Sequence, residues 1–159
     1  MTTGTEPTAD GRFGLDDISK RIIEQLQEDG RRSYAAIARV VGLSEAAVRQ
    51  RVQRLLDEGI VQIAAVTDAQ AIGFNRQALL GIKVEGDITA VATKLVDVPE
   101  ADYVVISAGQ FDVLVELICT DDDHLLAVVD SVRTIPGVRS TETFVYLKLV
   151  KENYSWGTR

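Results

Sequence analysis

A change of hydrophobic period constrains this chain more than any other feature. From Leu15 to Leu56 apolar residues return about every 3.6 positions, with glycines at Gly30, Gly42 and Gly59 closing each run; beyond Gly59 the spacing falls toward about 2. The N-terminal third therefore reads as helical, and strands are expected in the remainder. The pattern predicts helix one from Leu15, with Ile18, Ile22, Ile23 and Leu26 on one stripe, Asp16 or Asp17 as cap and first-turn acid, and Gly30 as the stop. Ser33 is expected to cap helix two, in which Ile37, Val40 and Val41 are apolar and Ala38 is small. Ser44 is expected to cap helix three, whose Val48, Val52, Leu55 and Leu56 form the buried stripe.

The segment Ala38-x-x-x-Gly42-Leu43-Ser44-x-x-x-Val48 has the spacing of a helix-turn-helix. Ala38 is small where the next helix crosses, Gly42 supplies a left-handed turn, Leu43 plugs the angle, and Val48 packs back on the core. With its stripe turned inward, helix three presents Ala46, Ala47, Arg49, Gln50, Gln53 and Arg54 to the outside. Arginine pairs with guanine, glutamine with adenine, and small alanines let a helix sink into a major groove. Arg31 and Arg32, just before Ser33, are placed to hold a phosphate with the amides of helix two. The plain alternative is a three-helix bundle with a solvated polar face.

Charge bears on that choice through its distribution. The net charge of −7 opposes nucleic-acid binding, but residues 31–54 hold six arginines against one acid, Glu45. From Ile63 onward there are eight basic and fourteen acidic side chains. A local cationic patch suffices to meet a phosphate backbone, and the asymmetry points to two domains.

After Gly59, residues 60–66 read as a strand that would hairpin back as a wing, and 67–75 as a connector with one helical turn. The chain then reads as strand (78–84), helix (88–96), strand (103–107), strand (112–119), helix (123–133) and strand (139–150). A weak internal repeat supports this order: Gly86-Asp87-Ile88 entering a helix that ends Val98-Pro99-Glu100-Ala101 is echoed by Thr120-Asp121 entering one that ends Ile135-Pro136-Gly137-Val138. The expected fold class is α+β: a winged helix-turn-helix followed by a ferredoxin-like βαββαβ domain with both helices on one face. The other face would carry Leu114, Glu116, Ile118, Phe144, Tyr146 and Lys148, too apolar a set to stay wet, so a partner subunit should cover it. The expected domains are a disordered 1–14, a DNA-binding domain 15–62, a connector 63–75, a sensing and oligomerisation domain 76–150, and a tail 151–159.

Other functions find little support. Cys119 lies in an apolar run and reads as a buried thiol. Asp121, Asp122, Asp123 and His124 are adjacent, but consecutive helical residues point about 100° apart, so first-turn acids explain them better than a metal site. No catalytic constellation or phosphate-cradling loop is present, and no enzyme, metal or cofactor is expected. No apolar run approaches the roughly 20 residues of a membrane span, and residues 1–14 lack a signal-peptide core, so a cytoplasmic location is expected. The loop Ala108-Gly109-Gln110-Phe111-Asp112 reads either as a hairpin turn or as a receptor in which amides take a ligand carboxylate and Asp112 its ammonium.

The chain resembles the Lrp/AsnC family of prokaryotic transcription regulators from Leu15 to about Val150. The carriers are Leu15-Asp16, Ile22-Ile23, Leu26, Asp29-Gly30-Arg31, Gly42-Leu43-Ser44, Val48, Arg51, Leu55 and Gly59-Ile60, then Gly109-x-x-Asp112 and Pro136-Gly137-Val138. The resemblance implies binding of double-stranded DNA, homodimers joined through their sheets and often assembled into octamers, and a small-molecule effector, commonly an amino acid, bound between dimers. It places the effector at Gly109, Gln110, Phe111 and Asp112 and at facing strand residues Ser140, Thr141 and Thr143. The competing reading is a ligand-binding or interaction protein of ferredoxin-like fold with no DNA role.

Overall fold

Each of the first three helices begins where a side-chain oxygen meets an amide the helix cannot satisfy itself. In the computed structural model, which describes residues 15–153 and 157–158, Asp16 Oδ1 accepts from the Ser19 amide at 2.7 Å and opens α1 (Asp17–Glu28). Ser33 Oγ accepts from Ala36 at 3.3 Å ahead of α2 (Tyr34–Val41), and Ser44 Oγ from Ala47 at 3.2 Å ahead of α3 (Glu45–Asp57). The cap of α1 is thus Asp16, with Asp17 its first-turn acid. Its stop is Asp29 rather than Gly30: the Asp29 N–H donates to the Gln25 carbonyl while its carboxylate takes the Arg31 amide, so the turn needs no positive φ. Gly42 does adopt φ +76°, and its amide and that of Leu43 both return to the Ala38 carbonyl. Nothing would touch a Cβ there, so the demand for glycine is conformational rather than steric.

The chain divides into two units: the described residues as far as Ala65 together with those from Glu152 on, and Val66–Lys151. The first unit is built round Ile22, Leu26, Ile37, Ala38, Val41, Val48 and Val52, with Leu43 and Leu56 half-buried against them. Within it, Gly157 donates to Gln27 and Thr158 to Glu24, so these tail residues rest on α1. The expected 1–14 segment lies outside the described residues.

One expectation fails here. Residues 60–66 form no strand. A strand needs a hydrogen-bonded ladder, and no described strand pairs with this segment; instead Ile60 and Val61 donate back to the Leu55 carbonyl and Val61 joins the core. The connector does contain one turn, the 3-10 segment Gln70–Ile72.

The second unit comprises β1 (Arg76–Val84), α4 (Ile88–Val96), β2 (Ala101–Ile106), β3 (Val113–Cys119), α5 (Asp122–Arg133) and β4 (Val138–Val145). Its strands are antiparallel in the order β2-β3-β1-β4, the ferredoxin-like arrangement. Ala78, Leu80, Ile82, Val113, Val115, Leu117 and Cys119 are fully buried beneath Val91 and Leu95 of α4 and Leu125, Val128 and Val132 of α5. On the other face stand Leu79, Lys83, Val105, Leu114, Glu116, Ile118 and Phe144, and no described element of this unit packs over them. β4 stops at Val145 instead of reaching 150 because its template runs out: Ala78 lies opposite Val145, Tyr146 makes one more bond to Gln77, and β1 begins at Arg76.

Candidate nucleic-acid interface

Helix α3 keeps two chemistries apart. Val48 and Val52 are fully buried and Leu55 is 1% exposed, while Ala46, Arg49, Gln50, Gln53 and Arg54 lie exposed on the opposite side and Ala47 is half-buried. The outer side chains have acidic neighbours one turn away: Arg49 Nη2 is 2.9 Å from Glu45, Arg54 Nε 3.8 Å from Glu58, and Gln53 donates to Asp57 at 2.8 Å. Exposed pairs of this kind are worth about 0.3–0.5 kcal/mol, so a phosphate or base edge can displace them.

The arginines expected to act together are divided by the structure. Arg31 is exposed, but Arg32 is half-buried, paired with Glu28 at 3.0 Å and hydrogen-bonded to Gln25. Ser33 and Ser44 spend their hydroxyls as helix caps, so what they offer outward is the helix amides. Arg51 faces away from the outer side: Nη1 donates to Asp16 Oδ2 at 2.6 Å and to Ser19 Oγ at 3.1 Å, tying α3 to α1. Asp16 titrates at about 2, held down first by the Ser19 amide, then by the Ser19 hydroxyl and Arg51. Its role is structural, which a count of arginines cannot reveal.

The second candidate region is the β2–β3 loop. Gly109 takes φ +150° and Gln110 is exposed. Phe111 folds onto the open sheet face, its ring so close over Gly81 that a Cβ there would come within 2.7 Å, and it meets Phe144 edge-on at 6.0 Å. Asp112 is already engaged within the chain. Its Oδ2 accepts the Val84 amide at 2.8 Å and its own amide donates to Ile82 at 2.9 Å, so it pins the loop to β1. Nor do the expected strand residues converge. Ser140 lies opposite Lys83 on the open face, whereas Thr141 and Thr143 lie opposite Ile82 and Leu80 on the helix side, where Thr141 accepts from Arg133 at 3.0 Å.

The acidic run is used locally. Asp121 caps α5 through the His124 amide at 2.8 Å, which lowers its pKa; Asp122 pairs with Arg76, which lowers its own; and His124 Nε2 lies 3.0 Å from Glu100. Among the described residues no three potential metal ligands gather. Burial raises the pKa of the Cys119 thiol, with the charges of Glu100 and Asp121 adding to it.

Residues 15–56 match the AsnC-type helix-turn-helix domain, and residues 74–159 match the PF0864 C-terminal dimeric alpha+beta barrel domain. The chain belongs to the Lrp/AsnC family of transcriptional regulators. Family members are regulators rather than enzymes. Among its relatives, the HTH-type transcriptional regulator FL11 of Pyrococcus furiosus is 38% identical over 87% of this chain and 93% of its own length. Among solved structures, the transcriptional regulator NMB0573 of Neisseria meningitidis, in complex with L-Met, superposes with a TM-score of 0.78 at 27% identity, over 89% of this chain and 95% of that one. E. coli AsnC shares the fold, with a TM-score of 0.77 at 23% identity over 89% and 97% of the two chains. This Lrp/AsnC regulator therefore carries its DNA-binding domain in the first unit and the α+β domain in the second.

Proposed function

We propose that the protein is a sequence-specific regulator that binds double-stranded DNA as a homodimer, placing α3 of each subunit in successive major grooves about 34 Å apart. The observation that carries this reading is the two-sided build of α3, with Val48 and Val52 fully buried while Arg49, Gln50, Gln53 and Arg54 stand in solvent. Arg31 and the amides at the start of α2 would meet the phosphate backbone. The apolar open face of the sheet supports pairing through the sheets, and family membership supports further assembly toward an octamer. A cytoplasmic place of action fits a DNA-binding role, and no described helix is long and apolar enough to cross a membrane.

The effector in this reading is a small molecule, an amino acid by analogy with the L-Met-bound relative. It would meet the free amides around Gly109 and Gln110, with Asp112 holding the loop in shape. Its influence on DNA affinity is bounded by its preference for one assembly over another. Control of amino-acid-related genes is part of the same proposal.

Replacing Arg49, Gln50 and Arg54 together by alanine tests the DNA reading in a mobility-shift assay at two salt concentrations. The variant should bind more weakly and with a shallower salt dependence, because fewer counterions are released. Binding with the parent's affinity and slope would remove α3 from the interface. A thermal-shift screen of the twenty amino acids, with sizing of the hits, tests the effector, since a ligand of the native state raises its melting temperature by mass action.

A further inference from the structure

Arg49 is held from two helices. Its guanidinium carbon stands 5.1 Å from the centroid of the Tyr34 ring at the start of α2, and its Nη2 lies 2.9 Å from Glu45 Oε1, one turn earlier on α3. Arg54 meets Glu58 from its own helix at a looser 3.8 Å. An acid four residues before a base is the favourable order on a helix, and a cation over a ring face is attracted by the ring's quadrupole. The two contacts bias the side chain toward one orientation before any partner arrives, so less freedom is lost on binding.

Glu45 is the single acid between Arg31 and Arg54. Standing on a surface that faces phosphates, a carboxylate opposes every DNA sequence alike. That opposition is offset only where a base edge offers a donor, and cytosine N4 is such a donor, just as guanine O6 and N7 suit an arginine fork. We propose that Tyr34 is a positioning residue that stacks under Arg49 so that it reads guanine, and that Glu45 is a specificity-determining residue that accepts from a neighbouring cytosine and turns away other sequences. The proposal rests on α3 being the recognition helix.

The test enriches duplexes from a random-sequence pool with the full-length protein, then compares affinity for the enriched duplex with that for a scrambled duplex of equal composition. Tyr34→Phe keeps the ring face and should match the parent. Tyr34→Leu keeps apolar bulk but loses the stack; it should bind the enriched duplex about fivefold or more weakly and enrich sites with a relaxed guanine preference. Glu45→Gln should bind the scrambled duplex several-fold more tightly, so that the ratio of the two affinities falls. This exposed change carries the test alone if Tyr34→Leu does not fold. Variants that enrich the parent's site with the parent's ratio overturn the inference and leave the α3 reading standing. A parent protein that enriches no duplex overturns that reading and the inference with it.

Discussion

Among the described residues, the outer side of α3 and the outer face of the sheet each lack a covering layer from their own unit, yet they are made of opposite materials. The first consists of arginine, glutamine and small alanines over a closed core; the second places Leu79, Val105, Leu114, Ile118 and Phe144 around a few charges. A cationic polar face is stable in water and exchanges water for a polyanion when one arrives, with salt setting the balance. An apolar sheet face gains by leaving water altogether and has no use for a charged partner. The chain thus separates a surface suited to reversible contact from one suited to lasting association.

The largest effects should come from breaking that contrast on a single strand. Leu80 and Leu79 are consecutive in β1, one fully buried under the helices and the other on the open face. Leu80→Ala should cost about 2–5 kcal/mol in denaturant unfolding, since a cavity opens in a closed core. Leu79→Asp should leave the chain folded and shift its elution volume toward the monomer. An unchanged elution volume would show that the open face is not an interface.

Gly81 offers a finer probe of the same face. An alanine there drives a Cβ into the Phe111 ring, and overpacking of this kind costs about 1–3 kcal/mol. Phe111→Ala in the same chain should recover most of the loss, as a double-mutant cycle on melting temperature would register. Purely additive losses would mean that the ring does not rest on Gly81. On the helical side, Ser44→Ala should cost about 1 kcal/mol by leaving the Ala47 amide uncapped, with Ser44→Asp restoring most of it.

What could be read from the sequence is what local chemistry decides. Caps such as Ser33 and Ser44, the left-handed Gly42, the alternation in β3 and the outward set on α3 each depend on residues a few positions apart. Two contacts that leave no local signal join partners far along the chain. Arg51 is claimed by Asp16, thirty-five positions away, and Asp112 by Val84, twenty-eight away; neither pairing leaves a periodic trace. The 60–66 segment carries strand-like residues, but no described strand pairs with it. Tyr34 carries no sequence signal of its role, because its contact with Arg49 exists once α2 and α3 have been set at their angle.

The smallest effect isolates how α3 is fastened to α1. Asp16 titrates at about 2 in the folded chain, against an ordinary 3.8. Because folding lowers this value, the charged carboxylate favours the native state: its contribution is complete above 3.8 and drains away as the pH falls toward about 2. Asp16→Asn keeps a capping oxygen but no charge, so its melting temperature should fall less steeply than the parent's across that window and run parallel to it above. The Ser19 amide is the leading cause and Arg51 a later one, which orders the variants: Arg51→Ala should flatten the profile less than Asp16→Asn does. Asp16 is exposed, so solvent screening keeps the difference small. Equal slopes for all three proteins would mean that the salt bridge orients α3 without adding to its stability, and the fastening would then belong to the buried Val48 and Val52 alone.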